Sequence, residues 1–428
     1  MRRRSFLHTT VVAAAVAATL ATATGAARPR SPAGPVVLVD WDGVDPRYLD
    51  AHLADRMPHL HRLAREGVRS VAACTYKAVS NPNRAGIATG ARPHVHGNAA
   101  YVLDPETGRA VGQTRTVTAE TLAQGLRRQG LLVLASGWYI VHDKGVAYRD
   151  PGGLYTQGAT WEENVDAVVR ALSGEPVPSD GALVELPRVP DLIAVYSADI
   201  DAIGHAEGPG SPRIPDRLAE HDAGLGRIVE AAERAGLLAG TTFVFVSDHG
   251  MTGYTASLEP QVFGAVRDAG FRLERLASGR APDPASEVVV TASPRAANLY
   301  LRGAAATPEG RDRVGRVLRG LPELEAVHDR AALDAMGAAA AEGDFAVDAA
   351  PPYAFVPPED LGDRERGGHA SLREAHAPLI LSGAGVARGA VPHRPRTIDV
   401  APTVARLLGA EPPADAEGRA LEEVLVLP

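Results

Sequence analysis

Short apolar runs, several rich in valine and isoleucine, recur along this chain at residues 35–40, 131–135, 191–196, 242–247 and 377–381. Runs of that length, closed by polar residues or glycine, predict strands buried on both faces. Between them lie stretches with helical spacing of apolar positions: 58–66, 119–129, 161–172, 218–235 and 401–408. The first has Pro58 in its opening turn and Gly67 as its stop, the expected asymmetry of helix ends. Strands alternating with helices predict an α/β fold, a mostly parallel sheet with helices on both faces.

The pattern changes between residues 251 and 360. Proline-rich and glycine-rich pieces there surround strand-like runs at 297–301 and 324–328 and a helix near 308–319. We expect a smaller inserted α/β lobe at 251–360 that caps or buttresses the site. Residues 31–250 and 361–428 then form the two parts of the catalytic core. Residues 1–30 have another character. Arg3-Arg4-Ser5-Phe6-Leu7 opens an Ala/Val/Thr-rich run and a zone of small residues. This is the layout of a twin-arginine signal peptide, too short for a membrane span of ~20 apolar residues. It predicts an exported protein, extracellular or held at the cell envelope.

Composition narrows the function. The formal net charge is −8, and loss of Arg2, Arg3 and Arg4 with a leader makes the chain more acidic. A protein this acidic is a poor candidate for sequence-general nucleic-acid binding through a basic face. Cys74 is the single cysteine, so no intramolecular disulfide forms, and a small buried apolar role is expected of it.

The chemistry-bearing residues fall just after the predicted strands, the edge at which open α/β sheets bind ligands. Asp42-Gly43 follows the first strand, Asp201 and His205 follow the third, and Asp248-His249-Gly250 follows the fourth. Gly367-Gly368-His369 sits in a later loop. Ser80-Asn81-Pro82-Asn83-Arg84 places a hydroxyl in a polar turn before a helix-ready run, where free backbone N–H groups favour an oxyanion. Each piece alone reads as a helix cap, a solvated turn or an exposed histidine. Together, a hydroxyl nucleophile with carboxylates and imidazoles enough for two metal ions is equipment for phosphoryl transfer.

These motifs, in this order, resemble the alkaline phosphatase superfamily, and within it the type I phosphodiesterase/nucleotide pyrophosphatase family. The resemblance runs over roughly residues 35–425 and includes Ile398-Asp399-Val400-Ala401-Pro402-Thr403. It implies a three-layer sandwich around the sheet and two zinc ions. One zinc would be held by Asp201, His205 and His369, with His376 in the same loop as the alternative imidazole. The second would be held by Asp42, Asp248 and His249, with the Ser80 oxygen beside it. Ser80 would be the nucleophile that becomes phosphorylated, Asn83 would hydrogen-bond a phosphoryl oxygen, and Arg84 is a further candidate either for substrate contact or for a structural role on the following helix. Nucleotide-cleaving relatives carry threonine followed by a base-stacking aromatic, whereas this chain has Ser80 followed by Asn81. Tyr101 and Trp138 are the remaining candidates for stacking.

The expected function is hydrolysis of small phosphate esters, phosphodiesters first, with phosphomonoesters and phosphonates as alternatives on the same site. Ser80-x-Pro82-x-Arg84 also resembles a sulfatase signature. Sulfatases pair adjacent aspartates around calcium, whereas Trp41 separates Asp40 from Asp42 here and imidazoles favour zinc. A metal-dependent binding protein without turnover is the non-enzyme alternative.

Overall fold

The computed structural model describes residues 34–427. The segment at residues 1–30, expected to be a signal peptide, therefore lies outside the described residues. Among the described residues, no helix is long and apolar enough to cross a membrane.

Five elements position the site: β1 (Val36–Trp41), α1 (Ser80–Thr89), β2 (Leu192–Ser197), α2 (Asp199–Glu207) and β3 (Thr242–Val246). β1 lies between β2 and β3, parallel to both, in the middle of an eight-stranded sheet. Val133–Ser136, Gly153–Thr156 and Ala147–Tyr148 extend it beyond β2 in parallel. Beyond β3, His376–Gly383 and then Val68–Ala73 add antiparallel pairs. The sheet is thus mostly parallel.

The alternation of β1 shows why helices cover both faces. Val37, Val39 and Trp41 enter one apolar cluster with Leu49, Leu60, Trp161, Val165, Leu218 and Ile228. Val36 and Leu38 enter another with Ile87, Leu122, Leu126, Val400 and Val404. A strand buried on both faces is apolar nearly throughout: every residue of β1 is buried, and Asp40 is its one charged member. Each fully buried Val, Leu or Ile side chain contributes about 1.5–3 kcal/mol relative to an exposed one.

The helices differ from expectation at their ends. The helix expected from 119 begins at Leu122, because Thr121 and Gln124 form a capping box there. The helix expected from 218 begins at Arg213, because Ile214 continues the buried stripe of Leu218, Leu225 and Val229. The polar turn expected at Asn81-Pro82-Asn83 is the first turn of α1 itself. Pro82 is tolerated there because a first-turn N–H has no intrahelical acceptor to lose.

A second sheet has five strands in the order Leu273–Arg275, Val288–Ala292, Ala296–Leu301, Phe345–Ala349, Leu324–Asp329. Glu259–Asp268 and Pro308–Arg319 pack on it around a separate apolar cluster that includes Phe263, Leu299, Val314 and Phe345.

Candidate functional site

The three strand ends meet. Asp42 leaves β1 through a turn in which Gly43 has φ +68°. A Cβ on Gly43 would lie 2.8 Å from Asp201 Cβ, so glycine is what lets the β1 turn approach α2. Asp201 and His205 are one turn apart on α2, His205 Nε2 lying 3.3 Å from Asp201 Oδ2. Asp248 and His249 follow β3, and His369 arrives from the loop after Arg366–Gly368. Ser80, the first residue of α1, is buried with its Oγ 3.1 Å from His249 Nε2.

The imidazoles share one arrangement. His205 Nδ1 lies 3.0 Å from Gly367 O, His249 Nδ1 3.1 Å from Gly250 O, and His369 Nδ1 2.8 Å from Ala78 O. A backbone carbonyl accepts, so each Nδ1 donates, and the Nε2 lone pairs are left for a ligand. These Nε2 atoms converge: those of His205 and His369 are 3.2 Å apart, and the His249 and His369 rings stack at 3.7 Å. Asp42 Oδ1 and Asp201 Oδ1 are buried without a hydrogen-bond partner. Two sets of ligand atoms lie close enough to hold an ion: Asp201, His205 and His369, and Asp42, Asp201 and His249. Asp201 thus reaches both sets. Asp248 stands beside the second, with Oδ2 3.4 Å from His249 Nε2. Facing lone pairs and orphaned carboxylate oxygens are stabilised by cations placed among them, and nitrogen with carboxylate donors suits zinc.

Electrostatics agree with that fit. Burial, with Arg84 opposing and Asp201 and Asp40 adding to it, pushes the Asp42 carboxyl up to about 6. Burial also raises Asp248 well above the usual carboxylate range, against the pull of Arg84. It lowers His249 well below 6.5, with His369 adding to the effect, and holds His369 down at about 4. His205 goes the other way: burial opposes its charge, but the Asp201 hydrogen bond and charge overcome this and raise it to about 9. Asp201, despite burial, is held below its ordinary value by the same imidazole. A proton on His205 serves the carboxylates where a metal cation would.

Two expected substrate contacts face inward instead. Asn83 is wholly buried; its Oδ1 accepts from Thr75 N and Oγ1, both at 2.8 Å, and its Nδ2 donates to Lys77 O and Val79 O. It fixes the loop leading into α1. Arg84 has no exposed side-chain surface. It donates to Asp40, Asp248 and Tyr139, each at 2.7 Å, and lies 3.1 Å from Asp42 Oδ2. It braces the carboxylates at the ends of β1 and β3 rather than opening toward a ligand. Trp138 is buried with its Nε1 donating to Asp40, so it offers no stacking face. His376 is exposed at the start of its strand, and His369 is the imidazole in the cluster. Cys74 is only partly buried.

Sequence reasoning missed the residues that orient the ligands. Tyr196 donates to Asp42 Oδ2 at 2.6 Å, fixing which oxygen is left free. Asp40, read only as the end of a strand, anchors both Arg84 and Trp138. A carboxylate inside an apolar strand was the available signal, since a buried charge needs a partner.

The chain is similar to several known proteins. An uncharacterized pyrophosphatase/phosphodiesterase of Schizosaccharomyces pombe is 25% identical over 231 residues, 50% of this chain and 44% of the relative. An ectonucleotide pyrophosphatase/phosphodiesterase of Caenorhabditis elegans is 25% identical over 232 residues, 51% of this chain and 26% of the relative. The chain therefore spans less than half the length of these curated relatives. Among solved structures, murine ectonucleotide pyrophosphatase/phosphodiesterase 5, an inactive form in complex with AMP, superposes with TM-score 0.68 at 17% identity. That likeness covers 92% of this chain and 100% of the other. Phosphonoacetate hydrolase of Sinorhizobium meliloti superposes with TM-score 0.62 at 19% identity, over 89% and 96% of the two chains. These likenesses show an alkaline-phosphatase-like fold. The family model described as type I phosphodiesterase / nucleotide pyrophosphatase matches residues 36–347, and this chain belongs to that family.

Proposed function

We propose that the protein hydrolyses small phosphate esters, phosphodiesters in preference, through a covalent phosphoseryl intermediate at Ser80. The observation that carries this reading is the Ser80 hydroxyl set 3.1 Å from His249 Nε2, inside a cluster of converging imidazole nitrogens and orphaned carboxylate oxygens. Asp201, His205 and His369 would hold one zinc ion; Asp42, Asp248 and His249 would hold the other, with the Ser80 oxygen beside it. Bound there, divalent ions supply Lewis acidity, lowering the hydroxyl's pKa and offsetting charge on the leaving oxygen. Ser80 Oγ attacks phosphorus, the ester oxygen leaves as the alcohol, and water then releases the phosphoryl group and restores the hydroxyl. The amino terminus of α1 favours the negative charge that gathers beside Ser80.

Against the sulfatase alternative, Asp40 is committed to Arg84 and Trp138, so β1 contributes one carboxylate to the cluster rather than an adjacent pair. Stacking on a nucleotide base has little support next to Ser80, because Asn81 is buried and bonded to Thr114 O and Tyr139. The reading includes export through the leader at residues 1–30 and an accessory role for the lobe at 251–360.

The test is the ratio of kcat/KM for bis(p-nitrophenyl) phosphate over p-nitrophenyl phosphate, measured on the zinc-loaded protein. A ratio well above one is expected, and strong monoester turnover with a small ratio would make the protein a phosphomonoesterase. Ser80→Ala should remove at least about 10³-fold of kcat with metal content and thermal midpoint unchanged. Retained turnover would end the nucleophile assignment.

A further inference from the structure

Ser80 and His369 each adjoin a loop. Residues 74–79 lead into α1, and residues 369–375 follow Arg366–Gly368. The two loops bond to one another: His369 Nδ1 donates to Ala78 O at 2.8 Å, and Ala78 N–H donates to Ala370 O at 3.2 Å. The backbone at this contact is a costly one. Ala370 has φ +135°, where an L side chain meets steric conflict. Such a conformation persists only when its surroundings over-determine it.

The second sheet supplies the restraint, through Asp348 on the strand Phe345–Ala349. The Asp348 carboxylate is buried, and three donors reach it. Oδ1 accepts the Tyr76 hydroxyl at 3.1 Å, and Oδ2 accepts the Leu372 N–H at 3.0 Å. Tyr76 lies four residues before Ser80, and Leu372 three residues after His369. One carboxylate thus grips both loops, with an oxygen for each. His328 Nε2, from the neighbouring strand Leu324–Asp329, donates to Oδ2 at 3.1 Å. Its ring meets the Tyr76 ring edge-on, the centroids 5.2 Å apart. Two ion pairs flank the grip. Lys77 Nζ lies 2.9 Å from Glu342 Oε2, and Arg295 Nε lies 3.3 Å from Glu374 Oε1, all four side chains buried. Each pair joins one of the loops to the lobe that carries Asp348.

We propose that Asp348 is a positioning residue: with the Tyr76 hydroxyl on one oxygen and the Leu372 N–H on the other, it fixes the spacing of the Ser80 hydroxyl and the His369 imidazole. The proposal rests on the reading of Ser80 as nucleophile and His369 as a zinc ligand. In that reading both groups serve one phosphoryl centre, and an error of about 1 Å in their spacing costs on the order of 10²-fold in rate. Buried charges add little stability over apolar residues of the same volume, so their use here points to placement. The lobe at 251–360 is then part of the geometry of the reaction and not only a cover for the site.

The test compares three variants of the full chain, well below their thermal midpoints. Zinc affinity is read by competition with a chelator, and kcat and KM with bis(p-nitrophenyl) phosphate. Asp348→Asn keeps the shape but leaves one acceptor oxygen for two loops. It should weaken zinc binding by about tenfold, as for loss of a group that orients a ligand. It should lower kcat by about 10²-fold with KM within about threefold of wild type. Tyr76→Phe frees only the loop before Ser80, so kcat should fall about tenfold with zinc affinity unchanged. Leu318→Ala opens the apolar cluster of the lobe itself. It should lower the thermal midpoint and leave zinc affinity and kcat as in the wild type. Zinc affinity within about twofold of wild type in Asp348→Asn overturns the proposal. So does an equal loss in Leu318→Ala, which would make the spacing a by-product of the lobe's stability. Should Asp348→Asn fail to fold, an unchanged kcat in Tyr76→Phe overturns it alone. Zinc affinity is read without turnover, so the expected zinc losses beside retained turnover in Ser80→Ala refute the Ser80 reading alone.

Discussion

The two corners of the candidate metal site are built from the same donor types and differ in depth. At the inner corner, His249 and Asp248 have no exposed side-chain surface, Asp42 has 5%, and Arg84 is locked among the carboxylates. At the outer corner, 38% of the His205 side chain is exposed and Asp201 rests on a short helix rather than at a strand end. The titration directions follow: burial dominates inside and pushes Asp42 up and His249 down, whereas pairing with Asp201 dominates outside and raises His205 to about 9. The inner corner is closed around the Ser80 hydroxyl, and the outer one is open to water.

The most disruptive way to break this contrast is Arg84→Met, which leaves Asp40, Asp42 and Asp248 buried without their cation. Folding stability in urea should fall by about 3–5 kcal/mol, the usual cost of removing one partner from a buried ionic cluster. A loss below about 1 kcal/mol would show that the inner corner does not depend on that brace. His205→Ala acts only at the outer corner. It should lower metal content by about one ion per chain with Ser80 still in place, and full retention of metal would remove His205 from the ligand set.

Acidity sharpens the contrast. A proton sits on His205 below about pH 9, and metal must displace it. Zinc affinity measured by competition should therefore fall about tenfold per pH unit below that point. The slope should steepen near pH 6, where the Asp42 carboxyl also begins to take a proton. A flat profile would mean that neither group is a ligand. For the metal-free fold the sign is opposite. The raised His205 contributes stability that is complete below its ordinary value of 6.5 and lost as pH rises through about 9.

Much of the fold was legible because its signals are local. The apolar run of β1 and the stripe of Trp161–Leu172 need no partner to be recognised, and Thr160 caps that helix at the expected place. Where sequence reasoning went astray, a local rule met a tertiary circumstance. Pro82 reads as a breaker, yet it falls where a helix tolerates it. Asn83 sits in the motif that suggests substrate contact, yet on α1 it faces the preceding loop, and of the two roles open to Arg84 the buried structural one is what its bonds to Asp40 and Asp248 support. Asp40 and Tyr196 gave no motif at all, because their importance lies in the neighbours that burial imposes.

The chain by itself determined a mostly parallel sheet with a hydroxyl, carboxylates and imidazoles gathered along one edge, since periodicity and residue chemistry are written position by position. The tertiary structure decided which of those groups converge. Asp201 reaches both ligand sets only because Gly43 lets two elements meet closely. The left-handed turn at Tyr101 is held by Thr291 and Asn298, 190 and 197 residues further along, which donate to its carbonyl. Side-chain direction and burial at such distances are set by register and docking between separate sheets, and no local pattern encodes them.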